Sequence, residues 1–182
     1  MSRKEHIPES LLMPRFPVAV AAQAQLLCAQ LTARGLCVVT AESCTGGLLA
    51  ASLSGFPGST RFLVGSFVTY RPSLKIAALG VSVGLIAERT VYDPEVARQM
   101  ATGALKGAPE ADLALAITGV AGPGPDQGKP AGLVFIAAAL RGEVPVVREC
   151  HFSGTPHAVV ADAMRTALAM GCAAIGGDEG KG

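Results

Sequence analysis

Residues 36–55 read LCVVTAESCTGGLLAASLSG, an apolar run joined to an alanine- and leucine-rich one through a serine, a cysteine, a threonine and two glycines. LCVVTAE reads as a short buried strand, and TGGLLAASLSG as the helix that follows it. A simple turn needs one glycine or an Asn-Gly pair. This many small polar side chains, on backbone free to bend, mark a place where something is bound or attacked.

Working outward, residues 17–34 form an amphipathic surface helix that Gly35 ends. Downstream, LVGSFVTY is a second strand, and PSLKIAALG a helix with Pro72 in its first turn, where proline is tolerated. SVGLIAERTVY reads as an irregular connection. DPEVARQMATGALKG is the clearest helix, with Asp93 as N-cap and Pro94 at the first helical position. DLALAIT is a strand that leads into the loop GVAGPGPDQGKP. GLVFIAAAL and VPVVRECHF, joined through Arg141-Gly142-Glu143, form a hairpin, and a last helix runs from about Pro156 to Ala174. The alternation predicts an α/β fold: a mostly parallel sheet covered on both faces, with one antiparallel partner supplied by the hairpin. Ligands in such sheets bind beyond the carboxyl ends of the strands. That rule brings AESCTGG, TYRPSLK and TGVAGPG to one site.

The 182 residues are half hydrophobic and 16% charged, which suits one well-filled core at 17–175, between flexible tails at 1–16 and 176–182. A net charge of +1 gives no electrostatic footprint for nucleic acid or an anionic membrane, so a small molecule or another protein is the expected partner. Five cysteines without a C-x-x-C pair read as reduced thiols in the cytoplasm. Glu5, Glu9, Pro14 and Pro17 interrupt what resembles a signal peptide at the N-terminus, and no stretch reads as apolar for long enough to span a bilayer. No Asp/Glu/His cluster has metal-ligand spacing, so neither a metal nor another cofactor is invoked.

Ser43 and Cys44 are the candidate nucleophiles, placed where the free N–H groups of a helix start, at Cys44, Thr45, Gly46 and Gly47, can hold an oxyanion or a phosphate. Ser43 or Thr45 acting only as a helix cap is the structural alternative. His6, His151 and His157 are poorly placed as bases, and the G-x-S-x-G elbow is absent. Lys75 follows the second strand in the first turns of a helix, where the dipole disfavours a cation and helps it lose a proton. Tyr70 is a candidate relay between the two. Glu42 at the strand end, Arg71, Thr118 and the glycines at 119, 122 and 124 are the expected substrate contacts.

Together these segments resemble the CinA C-terminal-domain family, the nicotinamide mononucleotide amidohydrolases. The resemblance rests on TAESCTGGLLAASLSGFPGSTRF, FVTYRPSLKIAALGV, DPEVARQMATGALKGAPEADLALAITGVAGP and KPAGLVFIA, over about residues 20–140. It implies a three-layer α/β/α sandwich around a mixed five-stranded sheet, a stand-alone form of the domain, and homo-oligomers. It also implies hydrolysis of the nucleotide's carboxamide to the nicotinate nucleotide and ammonia, with a serine nucleophile falling on Ser43, a tyrosine on Tyr70 and a lysine on Lys75. The family's usual Y-S-N-E-A-K stands here as YRPSLK. Its F-x-G-D-R stands as FSGTPHAVV, without the acid or the arginine, and Arg71 is the candidate substitute for that arginine at the phosphate. Two other roles compete: a nucleotide-binding module that cuts no amide, and an interaction protein in competence or damage response.

Overall fold

A computed structural model describes residues 16–176. In chain order it contains α1 (Val18–Arg34), β1 (Val38–Glu42), α2 (Leu48–Ser54), β2 (Leu63–Val68), α3 (Pro72–Leu79), α4 (Val83–Arg89), α5 (Pro94–Gly107), β3 (Leu113–Gly119), β4 (Leu133–Leu140), β5 (Val146–His151) and α6 (Pro156–Gly176). The expected tails at 1–16 and 176–182 lie outside the described residues, save for Phe16, which packs against the core, and Gly176, which ends α6.

The strands form one sheet in the order β2-β1-β3-β4-β5. β1 pairs parallel with both β2 and β3, whereas β4 is antiparallel to both β3 and β5. The sheet is therefore mixed, as expected, with two parallel and two antiparallel pairings, and β4 of the hairpin alone runs against the other four strands. The connection at 120–132 contains no helix to carry the chain back across a face, so β4 returns directly beside β3.

β3 is buried along its whole length and shows why both faces are covered. Leu113, Leu115 and Ile117 pack with Leu27 and Leu31 of α1, Leu49 of α2, and Met164 and Leu168 of α6. Ala114 and Ala116 point the other way, among Val96, Met100 and Ala104 of α5. Small side chains on that face let α5 lie close to the sheet. α5 also lies against α3: at Gly103 a Cβ would stand 2.0 Å from the Leu79 carbonyl oxygen at the end of that helix.

Local signals set most boundaries. Gly35 takes the left-handed conformation that closes α1, and the Asp93 side chain accepts from the Glu95 N–H at 2.8 Å to open α5. Two readings need correction. SVGLIAERTVY is not irregular throughout: Ser82 accepts from the Leu85 N–H at 3.3 Å and caps α4. Nor does α2 begin at Thr45, because Gly46 and Gly47 adopt φ of 58° and 97° and delay it to Leu48. A third concerns α6, which by length and composition is apolar enough to cross a membrane. More than half of its most apolar window is buried within the protein, however, against α1, β3 and β4.

Candidate active site

The sheet register builds the site. Glu42 at the end of β1 lies level with Val68 of β2 and Ile117 of β3. The next residues of each chain segment therefore emerge at one rim: the Ser43 N–H donates to the Ile117 carbonyl at 3.1 Å, and the Thr69 N–H to the Glu42 carbonyl at 2.8 Å. Beyond Thr69 the chain turns into α3 and carries Lys75 back over the rim.

There the Lys75 Nζ donates to Ser43 Oγ at 2.9 Å and to the Thr69 carbonyl oxygen. Lys75 is fully buried, with no exposed surface, and no carboxylate pairs with it among the described residues. Burial without an acid penalises the ammonium form and lowers its pKa to about 8, against a weaker opposing pull from Cys44. Ser43 is 6% exposed and opens on a cleft. The hydroxyl and the amine therefore meet directly. Tyr70, 70% exposed at the cleft edge, forms no hydrogen bond with either.

Glu42, expected among the substrate contacts, has no exposed surface. Its carboxylate accepts from the N–H groups of Gly47, Leu49 and Ala50 at 3.0, 3.0 and 2.9 Å, and from the Thr45 and Thr40 hydroxyls at 2.7 and 3.0 Å. A buried carboxylate thus caps α2 from the preceding strand, satisfying donors that no residue at the helix start satisfies. This removes Gly47 and the Thr45 hydroxyl from anion binding, and the Gly46 N–H is taken up by the Ser43 carbonyl at 3.0 Å. Only the Cys44 and Thr45 N–H groups of this turn find no acceptor among the described residues. The Cys44 thiol is raised by burial to about 11, which leaves it protonated at neutral pH.

The cleft has two adjoining compartments that share Cys44, Tyr70, Ala121 and Gly122. The polar one, ≈ 280 Å³, is bounded by Ser43, by Tyr92 and by the 119–126 loop, including Gly119, Gly122 and Gly124. Gly119 belongs there for steric reasons as well, since a Cβ would stand 2.6 Å from the Leu133 carbonyl oxygen. The more apolar one, ≈ 570 Å³, lies between the starts of α1 and α6 and includes Leu48, His157 and Met164. Thr118 and Arg71 line neither. The Thr118 hydroxyl is buried and donates to the Val91 carbonyl at 2.9 Å, while Arg71 is exposed at the N-cap of α3.

Sequence reasoning missed Tyr92 and Asp126. The Tyr92 hydroxyl donates to the Asp126 carboxylate across the mouth of the polar compartment. Tyr92 stood in a segment read as irregular and Asp126 in a loop read for its glycines. The one available signal was that the chain has only two tyrosines.

Known proteins share this arrangement of elements. A crystal structure of the competence/damage inducible protein CihA from Agrobacterium tumefaciens superposes with a TM-score of 0.84 at 36% identity, over 90% of this chain and 99% of that one. The nicotinamide-nucleotide amidohydrolase PncC of Escherichia coli K12 is 44% identical over 140 residues, 76% of this chain and 84% of that protein. A CinA-like protein of Desulfotalea psychrophila is 44% identical over 116 residues. The chain spans about a third or less of the length of that protein and of comparable long relatives. Residues 20–174 match the model of the CinA C-terminal domain, and the region so matched holds every strand of the sheet and the Ser43–Lys75 contact. The chain belongs to the CinA C-terminal domain family.

Proposed function

We propose that the protein hydrolyses the carboxamide of nicotinamide mononucleotide, releasing ammonia and nicotinate mononucleotide. The observation that carries this reading is the 2.9 Å contact between a buried lysine amine and a serine hydroxyl at the floor of a cleft. The amidohydrolase activity named for the Escherichia coli relative supplies the substrate class.

In this mechanism the neutral Lys75 amine takes the Ser43 proton as Oγ bonds to the carboxamide carbon. The Thr69 carbonyl holds the amine in place. Electron density moves onto the carboxamide oxygen, which the Cys44 and Thr45 N–H groups stabilise. Lys75 then returns the proton to the departing nitrogen, the C–N bond breaks, and ammonia leaves an acyl ester on Ser43. Water, deprotonated by the same amine, attacks the ester, and the proton goes back to Ser43 as the acid departs. Tyr70 stands at the cleft edge, where a bound substrate brings its hydroxyl within reach of the leaving group. The ribosyl phosphate extends into the compartment that contains His157.

The test is ammonia release from the mononucleotide, with nicotinamide and its riboside for comparison. Ser43→Ala and Lys75→Ala are each expected to lose at least about 10³-fold in kcat/KM. Undiminished ammonia release by Ser43→Ala would overturn the assignment.

A further inference from the structure

The wall facing Ser43 is unlike the rest of the cleft. Asp126 carries the only formal charge among the residues that line the polar compartment, and both tyrosines of the chain, Tyr70 and Tyr92, line it too. Deliberate features of the fold hold this acid in place. The Asp126 N–H donates to the Lys129 carbonyl at 3.0 Å and the Lys129 N–H returns the bond at 2.9 Å, which pins the loop into a narrow turn. The Tyr92 hydroxyl donates to the carboxylate from the other side. Tyr92 is itself anchored: the buried Thr118 hydroxyl grips the Val91 carbonyl, and the Tyr92 N–H donates to Thr90 Oγ1 at 3.2 Å. Thr90 has a φ of 71°, which a β-branched residue adopts only when its surroundings impose it. Burial, and then the Asp126 carboxylate, raise the Tyr92 pKa, so its hydroxyl stays a neutral donor.

A carboxylate and two phenol rings, with no other formally charged side chain among the residues that line the compartment, suit a flat cation. The carboxylate attracts the charge directly, and the negative faces of the rings attract it through their quadrupoles. We propose that Asp126, Tyr92 and Tyr70 form a cation-reading wall that makes the site selective for carboxamides carried on a positively charged, N-substituted pyridinium ring over their neutral counterparts. The inference rests on the amidohydrolase reading for the carboxamide and adds which residues sense the ring's charge. A wall that served only to brace the loop would show no preference for charge.

The experiment separates charge from shape. Binding of nicotinamide mononucleotide and of benzamide riboside 5′-monophosphate, its neutral-ring isostere, is measured by calorimetry. The proteins are Ser43→Ala, which cannot turn the ligand over, and the same protein also carrying Asp126→Asn or Tyr92→Phe. Asp126→Asn keeps an oxygen to accept from Tyr92 while removing the charge. It is expected to weaken the mononucleotide about tenfold or more and to leave the isostere within about twofold. Tyr92→Phe, which keeps the ring but frees the carboxylate, is expected to weaken the mononucleotide less than Asp126→Asn does. Equal loss of both ligands in Asp126→Asn, no loss of either, or equal affinity of the Ser43→Ala protein for the two ligands would overturn the proposal. Ammonia release by the wild-type protein is scored separately. Charge-selective binding without ammonia release would refute the hydrolase reading and leave the wall standing, and ammonia release without charge selectivity would do the reverse.

Discussion

The amine of Lys75 and the hydroxyl of Ser43 come from the segments that follow two neighbouring parallel strands, and they meet at 2.9 Å because β1 and β2 end level with each other. The residues are 32 positions apart in the chain, yet the contact is as short as one between adjacent turns of a helix. Its chemistry follows from where the lysine is buried.

The rate of hydrolysis is expected to rise with pH through a midpoint near 8, where Lys75 loses its proton. A pH profile of kcat/KM for ammonia release checks this. Lys75→Arg, whose guanidinium stays charged, is expected to remain inactive at every pH up to 10 or so.

The same burial predicts a stability signature. In the unfolded chain the amine has a pKa of about 10.4, and in the folded protein about 8. The folded state thus binds fewer protons between these values, and stability rises with pH across that window. The penalty is complete below about 8 and gone above about 10.4. Relative to Lys75→Met, in which it is absent, the wild type should gain about 3 kcal/mol between pH 7 and pH 10.5. Urea denaturation of both proteins at the two pH values measures the difference.

Cys44 is expected to be dispensable. With its thiol near 11, about one molecule in a thousand carries the thiolate at pH 8, so Cys44→Ala should keep kcat/KM within a few-fold. Alkylation of Cys44 by iodoacetamide, followed by mass spectrometry, should be slow at pH 7 and accelerate steadily towards pH 10.

Glu42→Gln should destabilise the fold by about 3 kcal/mol or more, because the new amide turns donors toward N–H and hydroxyl groups that need an acceptor. The urea midpoint reads this directly. Activity should fall with it, since the turn that carries Ser43 hangs from that carboxylate.

Two glycines should respond oppositely to alanine. At Gly103 the added methyl would stand 2.0 Å from the Leu79 carbonyl oxygen, and the helices must separate at a cost of at least about 2 kcal/mol. At Gly84, in the first turn of α4, the nearest atom is Ser82 Oγ at 3.8 Å, and alanine should stabilise by about 0.5 kcal/mol. Thermal unfolding of the two variants distinguishes them.

The contrast between what sequence revealed and what it hid follows the range of the interactions. Gly35, Pro72 and Asp93 act on their own helix ends, so their roles could be read from their neighbours alone. Ser43 and Lys75 could be placed together because the ends of parallel strands share a rim. The capping of α2 by Glu42 was hidden: a polar group at a strand end looks the same from sequence whether it faces solvent or a helix start, and only the closed packing of α2 against β1 decides. The partnership of Tyr92 with Asp126 was equally hidden, since it joins two connecting segments whose paths no periodicity describes. The antiparallel return of the hairpin was legible because the loop before β4 contains no helix to carry a parallel crossover.

Because no acid sets the basicity of Lys75, dryness does. Any change that lets water seep in around α3 would hand the amine back its proton and slow the reaction, even if every reacting atom kept its place. A loosened core would then act as an inhibitor, and its effect would vanish in alkaline solution.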